Sequence, residues 1–303
     1  MARQLDLKAA LAVLLVGTLW GLNWPTVKFL LTEIPPVSIR AIAFPLAAIV
    51  LAIVARTMGQ SLKLHRSEWL PALITGAFLI FGFNVLTSVG QTLEETARAT
   101  IIAYTMPALT AVLAFVVLKE SLGLRRWTAV IIGMGGLVVL LSEDFEALTS
   151  APQGAVVMFF AALSWAAGNV ALKAFDWRTP PVTLNVWFFT GASVLCWPLV
   201  LVLEPPIEQD WPSFNVLLAL GFHVAGPMVT CYLLWTRLIQ RLPASVAAVS
   251  VLIAPIVGVG SSIVLLNNSF TWQKAVALGM VIVCIAMTVN APAAPPRAKA
   301  DDS

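Results

Sequence analysis

Charge is what this sequence has least of. Asp, Glu, Lys and Arg make up 11% of the 303 residues, against 59% hydrophobic residues. A soluble domain carries about 25% charged residues, so a water-covered globule of this size is excluded. Disorder is excluded on the same figures, because disordered chains are rich in charge and poor in apolar residues. Cysteine is also scarce. Cys196, Cys231 and Cys284 lie singly in apolar runs, with no CxxC and no His/Cys cluster. That excludes a disulfide framework and a clustered metal site, and the three read as lipid- or core-facing fillers. There is no HExxH, GxSxG, P-loop or Asp-rich motif, so the chain is expected to be no enzyme, with no catalytic residue, metal or cofactor. Finally, no Asp or Glu falls in the middle of an apolar run. Ion-coupled carriers often bind their ion on such a carboxylate, so its absence favours facilitative transport. Backbone carbonyls at a broken helix leave cation coupling open.

What is present is apolar and long. Ten runs, at 8–30, 37–56, 69–90, 97–118, 126–142, 153–175, 182–203, 213–236, 244–265 and 272–290, read as spanning helices. Each is close to the ~20 residues that cross a hydrocarbon core. The runs are continuous and do not alternate, which argues against a β-barrel. The first is long enough to span and lacks a small-residue cleavage site, so it is expected to be retained. The loops leave no room for a soluble domain. The net charge of +3 sits at the run boundaries, which speaks for a membrane and not for nucleic acid. With the N-terminus inside, all basic residues except Lys28, Arg40, Arg98 and Lys274 fall on the cytoplasmic side. Two outer loops collect acids, Glu143, Asp144 and Glu146 in one and Glu204, Glu208 and Asp210 in the other. This asymmetry supports an even span count with both ends inside. The Pro/Ala-rich segment 291–303 reads as a disordered cytoplasmic tail.

The chain also reads as a duplication. LWGLNWPTVKFL (Leu19–Leu30) parallels SWAAGNVALKAF (Ser164–Phe175), with Trp20 opposite Trp165 and Lys28 opposite Lys173. TARATIIAYTMPALTAV (Thr96–Val112) parallels ASVAAVSVLIAPIVGVG (Ala244–Gly260), with Pro107 opposite Pro255. VLKESL (Val117–Leu122) then faces LLNNSF (Leu265–Phe270). Five helices per half is an odd number, so the halves enter the membrane from opposite sides. The expected fold is all-α, a polytopic membrane protein of ten helices in two inverted five-helix repeats, 1–145 and 152–290. That is an architecture of secondary transporters.

These residues carry a family resemblance. The tandem five-helix halves, the Trp20-Gly21-x-Asn23 of the first helix, the mid-helix Pro107 and Pro255, and Lys119-Glu120 after the fourth helix resemble the drug/metabolite transporter superfamily, EamA type. The likeness covers nearly all of 8–290 and looks nearest to the bacterial aromatic amino-acid exporters. It implies an inner-membrane exporter of amino acids and related metabolites. The second half departs from the pattern, with Asn267-Asn268 in place of Lys119-Glu120 and Val170 in place of Pro25.

Polar and aromatic residues within the runs are the site candidates. A polar side chain at mid-depth is costly and points to function. His223 is the one ionisable group at mid-depth, beside Gly226 and Pro227. It reads either as a neutral ring bonded to a neighbouring helix or as a proton gate. Asn23 and Trp24 precede Pro25, and Gly168-Asn169 falls at nearly the same depth in the sixth run. Matched amides suit a pocket on the symmetry axis or helix–helix contacts. Asn84, Thr87, Ser88 and Gln91 form an i, i+3, i+4, i+7 stripe, expected to line an outward vestibule or a polar seam. Lys28, Arg40 and Arg98 near that face are expected to snorkel, with steering of a carboxylate as a second role. Of 11 Trp and 2 Tyr, Trp69, Trp127, Trp177, Trp211 and Trp272 read as interfacial anchors. Trp20, Trp165, Tyr104 and Tyr232 read as cavity walls for an apolar or aromatic substrate, with lipid-facing packing the alternative. Pro25, Pro107, Pro227 and Pro255 are candidate hinges.

The expected activity is export of amino acids, aromatic and other apolar ones foremost, by alternating access through a central cavity. Other metabolites or drugs with proton coupling are the alternative. The expected partners are a small-molecule substrate and membrane lipid, not nucleic acid, with the monomer functional in a bacterial inner membrane.

Overall fold

A computed structural model describes residues 7–119, 123–144, 153–205, 211–235 and 244–289. The segment 291–303 and Glu120 lie outside the described residues. Those residues are helical between short turns, with no strand among them. In chain order the helices are α1 (Leu7–Leu30), α2 (Pro36–Thr57), α3 (Arg66–Leu93), α4 (Thr96–Val117) and α5 (Leu124–Leu141). They continue as α6 (Gln153–Ala174), α7 (Pro181–Leu203), α8 (Phe214–Trp235), α9 (Ala244–Leu266) and α10 (Trp272–Val289). Among the described residues, 6 helices (α2, α3, α4, α6, α7 and α8) are long and apolar enough to cross a bilayer, and shorter apolar helices accompany them. Large apolar side chains such as Ile53, Ile131, Val194, Val202 and Val264 stand exposed on the outside. A patch of that extent in a soluble monomer would be anomalous. In a multi-pass membrane protein it is the lipid-facing surface.

The breaks in the helices follow from local chemistry. Pro36 and Pro181 each open a helix at its first position, with Pro35 and Pro180 before them. A missing N–H costs nothing there. α4 breaks at Tyr104–Thr105. Pro107 cannot donate, and its ring opposes the carbonyl four residues back at Ala103. α1 runs unbroken through Pro25, and α9 through Pro255. The helix is therefore interrupted just before Pro107 and continuous through Pro255. α3 and α8 each carry a π-helical stretch, Ala77–Gly82 and Val224–Cys231, the second containing Pro227. After α4 and α9 the chain turns on left-handed residues, Lys119 (φ 54) and Asn267 (φ 52). At the second, the Asn268 N–H reaches back to the Ser262 carbonyl, six residues earlier, at 3.4 Å.

Packing pairs α1 with α9, α4 with α6, α3 with α6, α2 with α7 and α5 with α10. Close approach uses absent side chains. A Cβ on Gly168 of α6 would stand 2.6 Å from the Leu79 backbone of α3, and one on Gly21 of α1 would stand 2.5 Å from Val257 of α9. Small residues at crossings are how membrane helices gain dispersion contact without a hydrophobic driving force. Phe44 of α2 stacks edge-on to Phe189 of α7 at 6.0 Å.

Candidate functional site

A cavity of about 340 Å³ lies between α1, α3, α4, α6 and α8. Small-molecule sites begin at about 300 Å³. One wall is aromatic. Trp20 meets Trp165 at 6.3 Å, Tyr232 at 5.9 Å and Trp235 at 5.5 Å, all edge-on. Phe83 lies 4.7 Å from Trp165, and Trp24 lies 6.2 Å from Tyr104. The Trp20 Nε1–H donates to the Pro227 carbonyl at 3.3 Å, which ties the ring to the π-helical stretch of α8. Such a box offers flat apolar faces and few hydrogen bonds, which suits a flat or apolar ligand group.

The end of the cavity nearest the α1–α2 turn is polar and built around Arg40. This guanidinium is 1% exposed. Its Nε donates to the Asn84 carbonyl at 3.0 Å and to Ser88 Oγ at 2.7 Å. Its Nη1 lies 2.8 Å from His223 Nε2. A guanidinium only donates, so Nε2 must accept, and the ring is neutral with its proton on Nδ1. That proton goes to Asn23 Oδ1 at 2.6 Å. Asn23 itself also lines the cavity. One turn beyond Ser88 on α3, Gln91 lines the same end, and its buried Oε1 has no partner among the described residues.

Beyond Gln91 the helix ends are tied together. Lys28 Nζ donates to the Gln91 carbonyl. Lys274, 1% exposed, bonds Glu95 Oε2 and Ser269 (Oγ 2.8 Å, carbonyl 3.0 Å), and lies 3.4 Å from Glu143. Asn268 Oδ1 accepts from the Ala97 N–H at 3.1 Å, while Glu95 Oε1 accepts from the Ser269 N–H at 2.8 Å. The α3–α4 turn is thus fastened to the α9–α10 turn and the end of α5. Glu94 pairs with Arg98 at 3.7 Å. Burial raises the Glu94 carboxyl above its ordinary range, and Arg98 opposes that rise in part. Nearby, Glu204 accepts the Val37 and Ser38 N–H groups at 3.0 and 2.7 Å, an anion on the α2 N-terminus. Toward the other end the lining reaches Trp235, Leu118 and the exposed Lys173.

Of the residues singled out from sequence, Trp20, Asn23, Trp24, Asn84, Thr87, Gln91, Tyr104, Trp165, Asn169 and Tyr232 line the cavity, as does Pro107. Ser88 and His223 stand behind the wall, as partners of Arg40. Pro25, Pro227 and Pro255 are buried in their helices off the lining. Two readings change. The stripe at 84–91 is buried at the tied-off end, so it does not line an open outward vestibule. Arg40 does not snorkel, because its bonds point inward to α3 and α8. Arg98 and Lys28 are likewise held by protein groups. Lys274 and Lys173 were not anticipated in the site. The sequence signal for the first was a cation placed among the outer-loop acids.

The EamA-like transporter family matches residues 7–142 and again 152–290. The uncharacterized transporter YoaV of Bacillus subtilis is 20% identical over 93% of this chain and 96% of its own. A probable amino-acid metabolite efflux pump of Escherichia coli is 23% identical, and one of Salmonella typhimurium 24%, each over 93% of this chain and 94% of theirs. A protein crystal structure 22% identical aligns with a TM-score of 0.66 over 91% of this chain and 95% of that one, which shows a shared fold.

Proposed function

The chain belongs to the EamA-like transporter family, and we propose that it exports amino acids across a bacterial inner membrane. Aromatic and other apolar ones are the foremost substrates, and transport is facilitative, by alternating access. The observation that carries this reading is the aromatic-walled cavity with donors and an acceptor gathered at one end. Two relatives are named as probable amino-acid metabolite efflux pumps, which supports the substrate class.

The machine is read as ten spans in two inverted halves. Adding five to each helix number carries the α1–α9 pair onto α6–α4 and returns α2–α7 and α5–α10 to themselves. It also relates the π-helical stretches of α3 and α8 and the left-handed Lys119 and Asn267. These correspondences support the repeat. The basic-residue asymmetry assigns the tied end to the outside, so the conformation described is closed outward and reached from the cytoplasm past Lys173. A substrate loads there, the halves exchange conformations, and the outer ties release as inner contacts form. The monomer contains a whole cavity.

The test is uptake of labelled phenylalanine and methionine into liposomes holding the purified protein, with and without a pH gradient. Saturable uptake that competing amino acids reduce and pH leaves unchanged is the expected result. Concentrative uptake that needs a proton gradient would replace the facilitative mechanism. No uptake of any amino acid by folded protein would remove the substrate class.

A further inference from the structure

We propose that the tied-off end of the cavity is a head-group site for a zwitterion: Arg40 takes the carboxylate and the Gln91 side-chain oxygen takes the ammonium. This rests on the amino-acid reading above and gives it residues.

The argument begins with the cost of Arg40. It carries a full charge at 1% exposure, and its bonds go to a carbonyl, a hydroxyl and a neutral imidazole. Among the described residues no carboxylate pairs with it. An uncompensated buried charge is strongly destabilising, and a chain that only needed a polar seam between α2, α3 and α8 could use a neutral amide. The guanidinium lines the cavity, so a ligand anion can supply the missing charge. A planar five-donor fork matches a carboxylate two bonds at a time.

The neutral partners then have a use. Ser88 and the Asn84 carbonyl hold Nε, and His223 holds Nη1, which fixes the plane of the fork. His223 is in turn fixed by Asn23, which also lines the cavity.

Gln91 supplies the opposite sign of dipole. Its buried Oε1 is an acceptor without a partner among the described residues, and orphaned buried acceptors are rare unless something visits them. Gln91 is one turn from Ser88 on α3, a rise of ~4.5 Å. That spacing suits the two charged groups on one α-carbon. The Trp20–Trp165–Tyr232 box then receives the side chain.

The experiment is ligand titration of the purified full chain, read by quenching of its tryptophans, four of which line the cavity. The probes are phenylalanine, 3-phenylpropionate (carboxylate only) and phenethylamine (ammonium only). Arg40→Gln is expected to weaken phenylalanine and 3-phenylpropionate by about tenfold or more while phenethylamine holds. Gln91→Leu is expected to do the reverse, weakening phenylalanine and phenethylamine and sparing 3-phenylpropionate. Retained phenethylamine binding also shows that Arg40→Gln is folded. Should that variant fail to fold, the wild-type protein decides alone: phenethylamine binding as tightly as phenylalanine overturns the proposal. So does 3-phenylpropionate binding that Arg40→Gln leaves unchanged. If the wild type binds 3-phenylpropionate through Arg40 but no amino acid, the amino-acid reading and the Gln91 half fall and the carboxylate anchor stands. Silence of all three probes overturns both.

Discussion

At the end of the bundle that carries the α1–α2 turn, charge is concentrated and paired. Lys274 holds Glu95 and Glu143, Glu94 holds Arg98, and Lys28 reaches the Gln91 carbonyl. At the opposite end the ties are neutral-to-anion or neutral and lie between the α2–α3 and α6–α7 turns. Glu68 accepts from the Arg178 and Thr179 backbone and the Thr179 hydroxyl, Trp187 Nε1 donates to the Leu62 carbonyl at 2.9 Å, and Thr183 donates to the Ser61 carbonyl at 3.0 Å. The pairs Arg98–Glu94, Lys274–Glu95 and Lys274–Glu143 all lie at the first end. In the proposed cycle, that difference puts the cost of gating at the first end. Opening the first end means parting buried charges, which is steeply costly. The second end is joined by hydrogen bonds between the α2–α3 and α6–α7 segments.

The largest effect should come from cutting the central tie. Lys274→Met leaves Glu95 and Glu143 without their shared cation, and breaking such a buried pair costs about 3 kcal/mol. In the proposed cycle that cost falls on the outward-closed state alone. The fraction open to the outside should rise on the order of a hundredfold for that energy. A cysteine placed at Gln91 reads this directly, since Cys196, Cys231 and Cys284 are all buried. In vesicles, an impermeant thiol reagent applied at the outer face should modify Gln91→Cys at least tenfold faster when Lys274→Met is also present. Equal rates would mean that the tie does not hold the gate.

A second test separates the ends from the frame between them. Gly168→Ala puts a methyl 2.6 Å from the Leu79 backbone, and backbone cannot step aside. The α3–α6 crossing must open, at about 1–3 kcal/mol. A Cβ on Gly260 of α9 meets nothing within 4 Å. Gly260→Ala should therefore be neutral or gain up to about 1 kcal/mol from helix propensity. Thermal unfolding in detergent should rank the two variants in that order. If Gly168→Ala is the more stable, the close crossing is not there.

Much of this frame was written in the sequence. The apolar run at 37–56 became Pro36–Thr57 and that at 153–175 became Gln153–Ala174, because a bilayer's thickness sets both length and composition. The aromatic wall was legible because Trp20 and Trp165 stood at matched places and Tyr is otherwise almost absent. Arg40 was not. A cation four residues into a helix reads as a snorkelling end, and only the tertiary approach of Ser88 from α3 and His223 from α8 turns it inward. Pro107 and Pro255 differ for a related reason. A proline marks where a helix can break, but the neighbours decide, and α9 packed along α1 stays continuous where α4 does not.

The smallest expected effect is one of pH, and it sharpens the account of the tied end. Glu94 lies outside the spans, and burial holds its carboxyl above the ordinary value of 4.5 even with Arg98 at 3.7 Å. A raised carboxyl pKa means that the folded, closed arrangement prefers the neutral acid. Its contribution is therefore fully favourable below the unfolded pKa and is lost as pH rises through the folded one. The other acids of the cluster titrate as well, so wild-type stability alone cannot isolate the term, but a difference can. Glu94→Gln keeps the shape and removes the charge. At neutral pH it should be slightly more stable than the wild type, because the burial penalty goes and outweighs the lost attraction to Arg98. The gap should close as pH falls below the raised pKa. A Glu94→Gln variant that is less stable at neutral pH would show that the Arg98 pair outweighs burial. Glu94 would then join Lys274 as part of the tie and not as a counterweight to it.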